Sequence, residues 1–218
     1  PAVKNSDKNN HTRKELTRSG RKMVLTTFSA ALLSELDIVI LGIFYSGPIL
    51  GVLAWSKRIL EGLYQLVGAS LDIVFPEISK LNDVNEIKSV RSRLRIVILI
   101  SLIIPLTYIL LQDVAKNVFI NVLGIEFENL ASIFSVVIFS LPFMLWSRIN
   151  IIFARAMHYE VNLFKVIVGA ASSSFLLYFL NNTYNYFSIE FGILGSQILF
   201  SLFTSLLISN QIKKERNI

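Results

Sequence analysis

The sequence predicts an all-α, polytopic membrane protein with six transmembrane helices, and three observations carry that reading. The 218 residues are 53% hydrophobic and only 17% charged, against about 25% charged in average soluble proteins. The apolar residues fall in unbroken runs close to the ~20 needed to cross a hydrocarbon core, where a soluble domain would interleave polar faces. Lys and Arg gather in every second connection between those runs, which is the positive-inside bias.

The chain opens at Pro1 with a polar, basic stretch to Lys22 that has no apolar core of the signal-peptide kind. Residues 1–22 therefore read as a basic cytoplasmic segment inside a longer protein, a linker to something that precedes it. Because the basic excess recurs in later loops, it reads as a topology signal and not as a nucleic-acid-binding arm. The first span is expected from Met23 to Tyr45, the second from Leu50 to Phe75 and the third from Ile96 to Gln112. The fourth is expected from Asn129 to Ser147, the fifth from Val161 to Leu180 and the sixth from Phe187 to Ser209. Together they make a membrane unit over 23–209, followed by a basic tail over 210–218. The chain has no cysteine, so disulfides and thiolate ligands are excluded. Neither a metal site nor a cofactor site is expected.

The second span is the one that needs argument, because it contains Lys57, Arg58, Glu61 and Asp72. If it crosses, 18 of the 21 Lys and Arg fall on one side of the membrane. If it does not, the cluster Lys80, Lys88, Arg91, Arg93 and Arg95 lands on the opposite side, against the bias. The second span therefore crosses, and both chain ends are expected in the cytoplasm. Asp113–Glu128 becomes external, and its Val118, Phe119, Ile120, Val122 and Leu123 predict a piece lying in the interface. Arg148, Arg155 and Lys165 surround the cytoplasmic connection between the fourth and fifth spans.

A charge at the bilayer centre costs ~2.5–3.5 kcal/mol on insertion scales, so each ionisable group within a span asks for a reason. At 100° per residue, Arg58, Glu61, Gln65 and Asp72 form one stripe along the second span, with Lys57 and Gly68 at its border. That is how a helix beside a water-filled cavity is patterned. Its plainer counterpart is a spaced Lys57–Glu61 ion pair with Arg58 snorkelling to the surface. In the first span Asp37 shares a side with Thr26, Ala30 and Ser34, while Glu35 points nearly opposite. Counting ~1.5 Å per residue places Asp37 and Arg58 at similar depth, roughly 12 Å from the outer end. Asp37 is thus a candidate for ion coupling or for holding Arg58. Gly169, Gly192 and Gly195 are read as points of close helix packing.

Four segments carry a resemblance: Leu36-Asp37-Ile38-Val39-Ile40-Leu41-Gly42, Ala54-Trp55-Ser56-Lys57-Arg58-Ile59, Phe75-Pro76-Glu77-Ile78-Ser79-Lys80-Leu81, and Phe191-Gly192-Ile193-Leu194-Gly195-Ser196. In this order and spacing the chain resembles the polysaccharide flippase branch of the MATE-like multidrug/oligosaccharidyl-lipid/polysaccharide exporter superfamily. The resemblance implies the second six-helix lobe of a transporter, whose N-terminal transmembrane lobe would be its partner. It also implies a substrate, polyprenyl-diphosphate-linked oligosaccharide of an O-antigen or capsule repeat unit, moved between membrane leaflets by alternating access. On this sequence it makes Arg58 and Lys57 the candidate diphosphate contacts, and leaves Asp37, Glu61, Gln65 and Asp72 as cavity-lining or ion-coupling candidates. No catalytic residue and no cofactor are implied; the remaining partner is membrane lipid, not nucleic acid. A multidrug/cation antiporter of the same superfamily is the first alternative. A membrane enzyme acting on a lipid-linked sugar is the second, weakened by the small external segment without a paired acidic site.

Overall fold

A computed structural model of the chain describes residues 20, 24, 38–39, 41–43, 47–78, 84–157, 160–184 and 189–216, and it is helical with no strand among them. The helices are α1 (Pro48–Asp72), α2 (Phe75–Ile78), α3 (Val84–Ser101), α4 (Ile103–Leu110) and α5 (Gln112–Leu123). A 3₁₀ turn (Ile125–Phe127) precedes α6 (Leu130–Val137), α7 (Ser140–Ala156), α8 (Glu160–Tyr184) and α9 (Ile189–Arg216). Five stretches of the described residues are long and apolar enough to cross a membrane: Pro48–Ile78, Glu86–Leu110, Leu130–Ala156, Asn162–Leu180 and Glu190–Ile212. They correspond to the second to sixth expected spans. The first expected span, Met23–Tyr45, lies almost wholly outside the described residues, as do the basic segment 1–22 and Asp37.

Three of the spans are broken, and each break has a proline three to five residues beyond it. Proline lacks an N–H and its ring clashes with the carbonyl four residues back. Pro76 follows the end of α1 at Asp72, Pro105 follows the end of α3 at Ser101, and Pro142 follows the end of α6 at Val137. At Pro142 the freed Ile138 carbonyl is taken up by Leu141 N–H at 3.1 Å, and past the first break Glu77 N–H and Ile78 N–H both bond Val74 O at 3.1 Å, so the chain restarts as helix. The spans thus run through the breaks as kinked helices. At the start of α1, Gly47 takes a φ of 85°, the left-handed region glycine tolerates, and Pro48 supplies a φ suited to the first helical position.

Pairwise contacts give the direction of each span. Trp55, near the start of the first described span, packs edge-on against Phe127 at 6.3 Å, just before the start of Leu130–Ala156. Toward the other end Asp72 meets Arg148. These two spans are therefore parallel. In Glu86–Leu110 the order is reversed: Tyr108 packs on Phe134 at 5.0 Å, while Arg91 reaches Asn150 at 2.9 Å. Asn150 also touches Thr204 late in the last span, and Gly192 near its start lies against Tyr178 near the end of α8. The described spans run up and down, with the end of α2, the start of α3, the end of α7 and the start of α8 at one end, together with Arg91, Arg95, Arg148 and Arg155. This end is called the basic end below.

The core is built from one face of each span, including Leu53, Leu60, Phe134, Leu141, Leu145, Ile149, Phe153, Tyr178 and Ile208, all at most 2% exposed. Leu41, helical and fully buried, packs into the same core. The outer faces carry Leu99, Ile103, Leu106 and Leu110 on α3–α4 and Phe175, Leu176, Phe179 and Leu180 on α8, exposed as lipid-facing residues are. Asp113–Glu128 is not a free loop. Its helix α5 leaves Val114, Val118 and Val122 exposed on one side, at i, i+4 and i+8, which suits a helix lying in the interface. Lys116 closes this segment with an ion pair to Glu128 at 2.9 Å.

Two sequence expectations are corrected. The apolar run beyond Ser147 continues as helix to Ala156, so Arg148 and Asn150 lie within the fourth span and not in a connection. A methyl group at Gly169 would meet nothing within 4 Å, so this glycine makes no close helix contact; at Gly192 it would come within 2.6 Å of Tyr178 Cε1 and at Gly195 within 3.3 Å of Leu177 Cδ1. Close approach of α8 and α9 is therefore what those two glycines permit.

Candidate functional site

Helix α1 brings the site residues together. Its 25 residues place Val52, Leu53, Leu60 and Leu71 inward against α6 and α7. The opposite side of the helix splits in two. Trp55, Leu66 and Ile73 are exposed on one half, and Arg58, Gln65 and Asp72 on the other. The apolar half is fit for lipid. The polar half is not, because lipid tails offer no partner to a guanidinium, an amide or a carboxylate.

Toward the Gly47 end, Lys57 and Arg58 part company. Lys57 is 5% exposed and turned into the bundle, with its Nζ 4.0 Å from Glu61 Oε1 one turn along. Arg58 is exposed and has no ionic or hydrogen-bond partner among the described residues. Ile38, Ala54, Lys57, Arg58 and Glu61 line a small pocket of about 40 Å³. Ile38 brings the first expected span to this pocket; Asp37, its neighbour in sequence, lies outside the described residues.

Toward the basic end, the stripe meets a residue that sequence reasoning placed elsewhere. Arg148 donates from Nε to Asp72 Oδ1 at 3.1 Å and from Nη2 to Asp72 Oδ2, so the pair is bidentate. Its Nη1 also donates to Gln65 Oε1 at 3.4 Å. The guanidinium lies 4.9 Å from the centre of the Tyr64 ring, a cation–π distance. Gly68 is the floor under it: a Cβ there would lie 2.6 Å from Arg148 Cζ. Arg148 thus fastens the middle and end of α1 to α7 through four residues spaced along one face of α1, Tyr64, Gln65, Gly68 and Asp72. Gln65 and Asp72, read in the sequence as cavity-lining groups, are its acceptors. The signal that could have found it was the apolar continuation Ile149, Ile151, Ile152, Phe153, Ala154, which keeps residue 148 inside a helix.

The arrangement offers hydrogen-bond donors and acceptors to a polar or anionic group along α1. Among the described residues it presents Arg58 without an ionic partner near one end and Arg148 paired with Asp72 near the other, with Arg58 and Asp72 14 residues or about 21 Å apart along the helix. Among the described residues no group of three or more His, Cys, Asp or Glu is placed to hold a metal ion.

No curated protein and no solved structure matches the chain. A family model does, described as "Polysaccharide biosynthesis protein" and matched over residues 6–132, which contain α1, Lys57, Arg58, Glu61, Gln65 and Asp72. With more than half of its length covered by that match, this helical membrane chain belongs to the polysaccharide biosynthesis protein family.

Proposed function

We propose that the chain is one lobe of a flippase that moves polyprenyl-diphosphate-linked oligosaccharide, such as an O-antigen or capsule repeat unit, across the bacterial inner membrane by alternating access. The observation that carries this reading is the polar half-face of α1, with Arg58, Gln65 and Asp72 exposed on the flank of a membrane-spanning bundle. A second lobe of similar size, the N-terminal one, would face that flank and enclose the stripe in water. The family match to polysaccharide biosynthesis supports the class of cargo.

In this account Arg58 receives the diphosphate. A guanidinium offers a planar fork of donors to phosphate oxygens, and Arg58 has no carboxylate among the described residues to satisfy it. Lys57 adds positive potential from inside the bundle while its ammonium is held beside Glu61. Asp37 is the candidate for ion coupling or for balancing Arg58 when cargo is absent. The Arg148–Asp72 clasp closes the path toward the basic end, and that end faces the cytoplasm with both termini. The protein makes and breaks no covalent bond in this scheme.

The test is polysaccharide export in cells carrying the complete transporter. Charge-assisted hydrogen bonds contribute ~1.5–3 kcal/mol, and ~1.4 kcal/mol is a factor of ten. Arg58→Ala is therefore expected to lower export at least ~10-fold at unchanged protein level, with partial recovery in Arg58→Lys. Lys116→Ala, in the interfacial segment, is expected to export normally. Normal export by Arg58→Ala would contradict the assignment of the diphosphate contact.

A further inference from the structure

A second polar cluster lies on the other side of α7. Trp146 and Asn150 stand two residues before and after Arg148, which turns them to the opposite face of that helix. There they meet Arg91 of α3, which is 7% exposed. Arg91 Nη2 donates to Asn150 Oδ1 at 2.9 Å and to Ser205 Oγ at 3.3 Å. Asn150, fully buried, is oriented by its own Nδ2 donating to Thr204 Oγ1 at 3.4 Å. Arg91 Nε is buried with no hydrogen-bond partner. Arg95, one turn further along α3 and exposed, shares the same indole: the two guanidinium carbons lie 5.2 and 5.6 Å from the centre of the Trp146 ring.

Two cations thus crowd one ring, and no carboxylate among the described residues pairs with either. Neutral acceptors and an indole face solvate a guanidinium only in part, and a buried charge without a counter-ion is expensive. The balance requires an anion. Position narrows its kind. The apolar run of α3 begins at Ile96, so Arg91 and Arg95 sit where its polar first turns meet the hydrocarbon, the level at which Trp is favoured. From Arg95 the exposed strip Leu99, Ile103 and Leu106 continues along the same flank into the bilayer, at 65%, 58% and 55% exposure. A ligand with a charged head at Arg95 would lay its chains on that strip.

We propose that Arg91, Arg95 and Trp146 form a binding site for the phosphate of a lipid headgroup with net negative charge, one whose phosphate is not already balanced by an ammonium of its own. Arg91 is the fixed wall, held by Asn150 and Ser205, and Arg95 is the movable arm that closes over the phosphate. Bilayer phospholipid and lipid-linked cargo both carry such a group, and the site is separate from Arg58, so it stands whether or not the flippase reading does.

The experiment is thermal unfolding of the full-length protein in neutral detergent, with phosphatidylglycerol, phosphatidylcholine, polyprenyl diphosphate or inorganic phosphate added. Phosphatidylglycerol is expected to raise the midpoint by several degrees and phosphatidylcholine is not. Arg95→Gln should lose most of that rise while keeping the lipid-free midpoint. Arg93→Gln, a neighbouring exposed arginine without the indole contact, should keep the rise. A response to polyprenyl diphosphate but not to phosphatidylglycerol would identify the cargo as the source of the phosphate, and a matching response to inorganic phosphate would overturn the lipid headgroup as the ligand. Equal responses to phosphatidylglycerol and phosphatidylcholine, equal losses in Arg95→Gln and Arg93→Gln, or no response to any phosphate compound would each overturn the proposal.

Discussion

Arg148→Ala and Asp72→Ala are each expected to lower the stability of the protein in micelles, and the double variant to recover a large part of the loss. Arg148 gives Asp72 two hydrogen bonds, gives Gln65 a third and covers the Tyr64 ring. Removing either member strands the other within a span. Arg148 is 15% exposed and Asp72 55%, so solvent or headgroups screen the carboxylate more than the guanidinium. Removing Asp72 should accordingly hurt more than its own contacts suggest, because it is the less exposed cation that is left behind. A double-mutant cycle is expected to return a coupling of ~1–2 kcal/mol, within the range for directly bonded partners. Arg148→Lys should not restore it, since an ammonium cannot make the paired contacts to both carboxylate oxygens. Additive single effects would mean that the clasp contributes nothing.

Gly68→Ala is expected to cost about as much as losing the clasp, although alanine is the better helix former by ~1 kcal/mol. The added methyl would lie 2.6 Å from Arg148 Cζ and 3.0 Å from its Nε, below ordinary contact. Arg148 is the far end of a flexible side chain, so it can swing away, but then Asp72 and Gln65 lose their donor. The effect should therefore be conditional. In an Asp72→Ala background, Gly68→Ala should cost much less, because only the longer contact to Gln65 and the Tyr64 ring remain for Arg148 to give up. Thermal unfolding of the four variants measures this. An equal loss in both backgrounds would place the conflict in backbone packing and not in the clasp.

Most of the fold was legible because hydrophobic run length and basic clustering are local properties. The second span, with four charges, was secured by topology alone, and its contacts with α6 and α7 now show it packed beside the fourth span in the same direction. Its stripe was legible too, since Arg58, Gln65 and Asp72 do share an exposed half-face. The partners of the stripe were not. Arg148 lies 76 residues from Asp72, and Arg91 lies 59 from Asn150. No periodicity within one segment reports pairings of that range. Both arginines were also miscast by the rule that served topology so well: a basic residue near a span end counts toward the loop, whether it ends in water or turns inward. Lys57 shows the same limit from the other side. Its spacing to Glu61 was visible, but only packing tells that it faces the bundle while adjacent Arg58 faces out.

The clasp and the exposed arginine acquire a meaning together only if cargo passes along α1. Neither by itself distinguishes a transporter from a membrane protein with a well-braced helix pair. Translocation of a fluorescent polyprenyl-diphosphate oligosaccharide in sealed vesicles, using the full-length protein, separates these directly. The account predicts that label placed in one leaflet becomes accessible from the other faster than in protein-free vesicles, with the lipid-linked sugar chemically unchanged. It also predicts that Arg58→Ala vesicles behave as protein-free ones. Transfer no faster than in protein-free vesicles, or conversion of the substrate to a longer or released glycan, would contradict the account.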